Sequence, residues 1–179
     1  MEKEWNIIEV LSHTRHDWLN RLQLIKGNLD LNRVDRAKSI IDEIIIESQQ
    51  ESKLTNLHMP VFASLLLRSN WENHLFQLEY EVLDNTHSPK MNELLLTNWT
   101  SLFFACLNSA IDAFQENHLS ITIDTQIDGT RFFFDFSGII KKKERIEQFL
   151  AKPSKLDWTI VVKEFSEHEL ALEVFIPQT

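Results

Sequence analysis

The sequence predicts an α+β protein: an N-terminal helical hairpin forming a dimeric four-helix bundle, followed by an α/β sandwich domain. Three observations predict it. Apolar residues recur at helical spacing through residues 4–30 and again through 34–57. Only the short stretch "DLNRVD" separates these two patterns. Beyond Pro60, helical segments alternate with runs that read as strands. The expected domains are 1–58, the hairpin, and 59–179, the α/β domain.

In the first helix, Ile8, Leu11, Trp18, Leu22, Ile25 and Leu29 fall on one stripe. Asp30 or Asn32 is positioned to begin the second helix, since both residue types cap helix starts. The second helix carries Ala37, Ile40, Ile41, Ile44 and Ile45. A short link between long helices makes them antiparallel neighbours. Two helices alone leave apolar surface uncovered, because "SIIDEIII" is wider than one partner helix can cover. Pairing two hairpins into a homodimer is one solution, and cover from the C-terminal domain of the same chain is the other.

Pro60 breaks the second helix, and a third is expected from about 60 to 74. "LFQLEYEVL" alternates as a strand, and "DNTHSPK" reads as a loop. A largely apolar helix is expected from Asn92 to Phe114. "LSITIDT" and "TRFFFDFSG" are two strands, with Asp128-Gly129 as a hairpin signal between them. "KKKERIEQFL" is a short helix whose basic start reads as a solvated face. "WTIVVKEF" and "LALEVFIP" supply the last two strands, joined by a turn at "SEHE".

A formal charge of -9 gives no basic excess for phosphate neutralisation, so neither nucleic acid nor an anionic membrane is an expected partner. Twelve Phe and five Trp mark a chain that folds. The one cysteine, Cys106, lies in the apolar run "LFFACLNSA" and reads as a buried free thiol. No apolar run approaches the ~20 residues of a membrane span, and the acidic start is unlike a signal peptide. A cytoplasmic location is expected. The histidines show no metal-ligand spacing, so no metal or cofactor of the chain's own is expected.

The chemistry concentrates in "SHTRHDWLNRLQLIKGNL". A helix turns about 100° per residue. With His16 as reference, His13, Asn20, Gln23 and Gly27 lie within about 60° of it, and Trp18, Leu22, Ile25 and Leu29 lie roughly opposite. His16 is thus expected to point away from the apolar stripe. A solvent-facing imidazole on a rigid helix suits a nucleophile that takes a phosphoryl group from one protein and gives it to another. Asp17 and Asn20 can orient the ring or its neighbours. Arg15 can anchor Glu43 or Glu47 of the second helix, the role slightly favoured, or touch a transferred phosphoryl group. His13, one turn earlier, is the rival nucleophile, but no acid follows it.

This segment resembles the phosphoacceptor helix of the sporulation initiation phosphotransferase B family, and more loosely the "RHDxxN" helices of some sensor histidine kinases. "ESKLTNL" and "LEYEVL" fit the same family, so the likeness extends over nearly the whole chain. The resemblance implies that His16 is the phosphorylated residue. It implies transfer from an aspartyl phosphate of one response regulator, through His16, to an aspartate of a second regulator that starts sporulation. It also implies a dimeric four-helix bundle and C-terminal domains similar to kinase ATP-binding domains that have lost ATP binding. Each regulator would supply Mg²⁺ in its own acidic pocket. Regulator docking would involve His13, Arg15, Asp17, Asn20, Gln23 and Lys26.

Against the kinase pattern, "LFFACLNSAIDAF" places Ser109 where the nucleotide-binding asparagine stands, and a shift of one residue would put Asn108 there. In "FDFSG", Asp135 is present but Ser137 replaces a glycine. The chain has three glycines, Gly27, Gly129 and Gly138, too few for a lid of backbone amides. Two other readings remain: a degenerate histidine kinase with residual ATP binding, and a non-enzymatic dimeric adaptor that only docks a regulator.

Overall fold

The structure is a computed structural model that describes residues 5–83, 89, 91–152 and 157–178. The expected loop at 84–90 lies mostly outside the described residues. The chain divides into two compact units, Met1–Gln49 and Gln50–Thr179.

The first unit is built on α1 (Ile7–Asp30) and most of α2 (Val34–Thr55). Asn6 begins α1 through a capping box: its side chain accepts from the Glu9 amide at 3.0 Å, and Glu9 accepts from the Asn6 amide at 3.2 Å. The other end corrects an expectation. Asn32 does not start the second helix; at φ 57 it is the left-handed residue that closes the first. Its amide and that of Arg33 bond back to Leu29 and Asn28 carbonyls. The Arg33 carbonyl then accepts from Ala37 as α2 begins. An ion pair between Arg21 and Glu47 joins the antiparallel helices.

The second unit is a five-stranded mixed sheet with helices on one face. Its elements are α3 (Pro60–Arg68), β1 (Gln77–Val82), α4 (Glu93–Ala110), β2 (His118–Thr125), β3 (Gly129–Ser137), α5 (Lys143–Leu150), β4 (Thr159–Phe165) and β5 (Glu169–Pro177). The strand order is β1-β2-β3-β5-β4; β1 and β2 are parallel and every other pair is antiparallel. Alternation sends Leu119, Ile121 and Ile123, Phe132, Phe134 and Phe136, and Leu170, Leu172 and Val174 to one buried face. There α4 packs Trp99 and Phe103 against Phe134, with ring centroids 5.5 and 5.4 Å apart. Phe62 of α3 meets Phe132 edge-on at 5.5 Å. Leu54 and Leu57 belong to the same core. The end of α2 therefore counts with the second unit, and the division by packing falls ahead of the 58/59 boundary expected from the break at Pro60.

Three elements are shorter or differently turned than the sequence suggests. The third helix stops at Arg68 and continues as one 3-10 turn, Ser69–Trp71, not to residue 74. Asn70 diverts the chain: its side chain donates to the Leu78 carbonyl and accepts from the Leu78 amide, both at 2.8 Å, as a neighbouring strand would. α4 stops at Ala110, short of Phe114, because Lys141 and Lys142 amides bond the Ala110 carbonyl and Ile111 bridges to Ile140. Phe114 is consequently 91 % exposed. The β2–β3 turn is the four-residue Gln126–Gly129 loop. Gly129 is required there, since a Cβ would lie 2.3 Å from the Ile176 carbonyl oxygen.

The basic start of α5 is less solvated than expected. Lys143 lies over the Phe165 ring at 4.7 Å, and Lys141 pairs with Asp112 at 2.8 Å. Cys106 is half-buried rather than buried, its thiol 3.4 Å from the Arg145 carbonyl, and burial raises its pKa.

Candidate functional site

His16 stands in the middle of α1, whose first turn is held by the Asn6–Glu9 capping box. Its side chain is 74 % exposed. The Asn20 side-chain nitrogen lies 3.2 Å from its Nδ1, one turn along the helix. The Asp17 carboxylate lies 3.7 Å from the same nitrogen. Both neighbours thus gather at Nδ1, and among the described residues Nε2 has no partner.

The remaining expected site residues divide into engaged and open groups. His13 is half-buried, its ring edge-on to Trp5 at 5.1 Å. Lys26 is exposed and paired with Asp30 at 2.7 Å. Gln23 is exposed. Arg15 corrects the favoured reading. The carboxylates it was expected to anchor are taken, Glu47 by Arg21 and Glu43 by Arg36 at 3.2 Å. Arg15 is exposed and makes no ion pair among the described residues. Register explains the exchange: Arg21 lies about 140° round the helix from His16, towards the hairpin's inner face, and Arg15 about 100° round on the other side.

Residue-type reasoning missed Leu19 and Leu24. Both are half exposed, at 51 and 53 %. They lie about 60° and 80° to either side of His16, outside the apolar stripe. The helical wheel held that signal: two leucines on a polar face have no internal partner to fill.

The apolar stripe itself is also open. No residue of α1 is buried, and Trp18, Leu22 and Leu29 are 47, 56 and 51 % exposed. Ile41 and Ile45 of α2 are 42 and 49 % exposed. Natural helices rarely leave such a continuous stripe in water.

In the second unit, Asn108 and Ser109 are engaged in hydrogen bonds within the fold. The Asn108 side chain accepts from the Leu75 amide at 2.8 Å, and its nitrogen lies 2.8 Å from His74 Nδ1. The Ser109 hydroxyl donates to the Cys106 carbonyl at 2.7 Å. Gly138 makes room for buried Asn117: a Cβ would lie 2.2 Å from the Asn117 Oδ1. That asparagine donates to the Leu75, Asp112 and Gln115 carbonyls and accepts from the Ile139 amide at 3.1 Å. Asp135 and Ser137 are exposed on the uncovered face of the sheet. Among the described residues no group of three His, Cys, Asp or Glu side chains could hold a metal ion. No described helix is long and apolar enough to cross a membrane.

Comparison with known proteins places this arrangement. Residues 1–57 match the family described as the Sensor_kinase_SpoOB-type alpha-helical domain, and residues 58–177 match the C-terminal domain of sporulation initiation phospho-transferase B. The sporulation initiation phosphotransferase B of Bacillus subtilis (strain 168) is 34 % identical over 170 residues, 94 % of this chain and 88 % of that protein.

The chain belongs to the sporulation initiation phosphotransferase B family.

Among solved structures, the catalytic domain of the histidine kinase ThkA superposes with a TM-score of 0.49 at 12 % identity, over 71 % of this chain and 93 % of that one. A bacterial phosphotransferase superposes with a TM-score of 0.42 at 9 % identity, over 96 % and 98 % of the two chains. Both superpositions are loose, and the family assignment rests on the sequence matches.

Proposed function

We propose that the chain is a phosphorelay phosphotransferase in sporulation, with His16 as the phosphorylated residue. It takes a phosphoryl group from an aspartyl phosphate of one response regulator and passes it to an aspartate of a second. The observation that carries this reading is the exposed imidazole with Asp17 and Asn20 both at Nδ1.

The chemistry follows from that asymmetry. A carboxylate beside Nδ1 favours the tautomer with the proton on Nδ1 and the lone pair on Nε2. The Asn20 amide, turned by 180°, accepts that proton's hydrogen bond through its oxygen. Nε2 attacks phosphorus, the phosphorus–oxygen bond to the donor aspartate breaks, and its electron pair stays on the donor carboxylate. The ring then carries a positive charge, which Asp17 offsets. In the second transfer the acceptor carboxylate attacks phosphorus, and the phosphorus–nitrogen pair returns to Nε2. Mg²⁺ in the regulator's own acidic pocket supplies the charge that stabilises the transferring oxygens. The chain itself needs no cofactor, and it works in the cytoplasm beside its regulators.

The open stripe of α1 and α2 supports a homodimer in which two hairpins form a four-helix bundle. Its burial leaves His16, roughly opposite, facing outwards. Arg15, Leu19, Gln23 and Lys26 surround His16 and supply charge and apolar contact for a transient docked regulator. Residual ATP binding gains no support from α4, whose Asn108 is held by His74 and Leu75.

The test is a transfer assay with purified receiver-domain proteins phosphorylated by acetyl phosphate in Mg²⁺. Wild-type chain should carry label between two receivers, and His16→Ala should not. Transfer by the alanine variant at the wild-type rate would defeat the reading.

A further inference from the structure

We propose that the outer edge of β4 is a self-association surface, which pairs antiparallel with β4 of a second copy across a two-fold axis. The contact joins two five-stranded sheets into one continuous sheet. It uses none of the residues of the hairpin stripe and does not depend on the His16 reading.

The two edges of the sheet are treated differently. The Gln77 and Leu83 amides bond the Asn117 and Ile123 carbonyls beside them, so the Leu78 and Val82 amides of β1 point outwards. Side-chain amides close that edge. Asn70 takes both backbone groups of Leu78 at 2.8 Å, and the Gln50 Oε1 accepts from the Val82 amide at 2.7 Å. β4 has no such cover. Its ladder is with β5 alone, and among the described residues the one side chain bonded to its backbone is Lys143, at the Phe165 carbonyl. An open edge is a template for another strand. Val161 and Val162, on its two faces, are 39 and 45 % exposed.

The sequence along this edge is self-complementary, which makes a second copy the occupant. Opposite side chains of an antiparallel pair share a face, so the two-fold axis passes between equivalent residues. With the axis at Ile160, that residue meets Ile160 of the second copy. Thr159 then meets its Val161 on the uncovered face, where both lie beside Phe175 and Glu173 of β5. Trp158 meets its Val162 on the core face, and Asp157 meets its Lys163. Symmetry makes each of these unlike pairs twice. Trp158 already packs against the core, so its ring extends that core over the exposed Val162. Asp157 is exposed and makes no ion pair among the described residues. Lys163 is 52 % exposed and pairs with Glu173 at 2.7 Å, and its ammonium has donors for a second carboxylate. Moving the axis to Val161 would set Lys163 against Thr159 and lose both charge pairs. The bulge between Val162 and Glu164 bends the strand beyond this point and confines the pairing to residues 157–163, about 20 Å of chain.

A contact this narrow buries less than the about 800 Å² per partner of a standard interface, so it should form on the order of hundreds of micromolar. The test is sedimentation equilibrium of the full chain carrying Leu22→Asp, which takes the hairpin stripe out of play. Monomer should convert to dimer as concentration rises into that range, and amide exchange within residues 157–163 should slow with it. Asp157→Lys or Lys163→Asp sets like charges opposite each other twice, and each should weaken association roughly tenfold or more. The double charge swap should restore it. Val161→Lys, at an exposed position, should weaken it as well, and carries the test with Asp157→Lys if Lys163→Asp, which also faces Glu173, does not fold. Thermal unfolding establishes which variants fold. Association that is absent throughout this range, or unchanged by Asp157→Lys and Val161→Lys, would overturn the proposal. So would a contact at β4 that forms only when receiver protein is added, since the occupant would then be a receiver strand.

Discussion

The side-chain nitrogen of Asn20 lies 3.2 Å from Nδ1 of His16. The two residues are one helical turn apart, and the contact holds the imidazole from one side only. With the amide turned so that its oxygen faces Nδ1, it accepts the Nδ1 proton and leaves the Nε2 lone pair free. Removing it should cost orientation, not the nucleophile. Asn20→Ala is expected to slow transfer about 5- to 30-fold, the effect of about 1–2 kcal/mol on the barrier. His16→Ala should abolish it. Rapid-quench transfer rates for the two variants check the ranking, and equal effects would remove Asn20 from its orienting role.

Arg15 and Arg21 should behave oppositely. Arg21 pairs with Glu47, both partly exposed, so Arg21→Ala should lower stability by at most about 1 kcal/mol. Arg15 makes no ion pair among the described residues, so Arg15→Ala should leave thermal unfolding within about 0.5 kcal/mol of wild type. Its effect should fall on transfer from a charged receiver. Paired melting and transfer measurements separate the two arginines.

The exposed stripe predicts self-association. Sedimentation at micromolar concentration should give a dimer, and Leu22→Asp should shift it to monomer by placing a charge in the apolar seam. A wild-type chain that sediments as a monomer would contradict the bundle.

Gly138→Ala should be among the most damaging conservative changes. The added methyl group would lie 2.2 Å from the Asn117 Oδ1 and 2.7 Å from the Phe136 ring. Asn117 is 4 % exposed and holds four backbone groups, so it has little room to move. A loss of about 1–3 kcal/mol is expected from overpacking, more where hydrogen bonds break. Urea unfolding measures it, and a midpoint equal to wild type would refute the crowding.

His74 should make stability pH-dependent. Burial lowers its pKa from the ordinary 6.5, with Glu72 opposing. Its ring stacks on Phe76 at 4.9 Å and its Nδ1 faces the Asn108 amide nitrogen at 2.8 Å, a contact suited to neutral imidazole. The unfolded chain therefore binds this proton more readily than the folded one. The associated stability is present above about pH 6.5 and is lost as pH falls from there through the lower folded value. Unfolding midpoints from pH 8 to 5 should show the decline, and His74→Gln should flatten it.

Much of this was legible in the sequence because the relevant signals are local. Stripe periodicity gave both long helices, and alternation gave all five strands. The azimuth of His16 relative to Trp18 and Leu22 gave its exposure. What was not legible depended on distant partners. Asn70 ends the third helix by bonding Leu78, and Lys141 and Lys142 end α4 at Ala110. The lysines that stop α4 lie outside any window of sequence around that helix, and Asn70 acts only once Leu78 of β1 is folded beside it. Arg15 was misassigned for the same reason: choosing its partner required the register between two helices. Asn32 was a different failure, since asparagine serves both as a helix start and as a left-handed stop.

The central claim is tested most directly by locating the phosphoryl group on the chain after incubation with a charged receiver protein and Mg²⁺. The label should be acid-labile and base-stable, should map to His16, and should give the phosphorus resonance of an Nε2-linked phosphohistidine. Labelled ATP without a receiver should leave the chain unlabelled. A stable phosphoryl group on His13 or any other residue, with none on His16, would contradict the account.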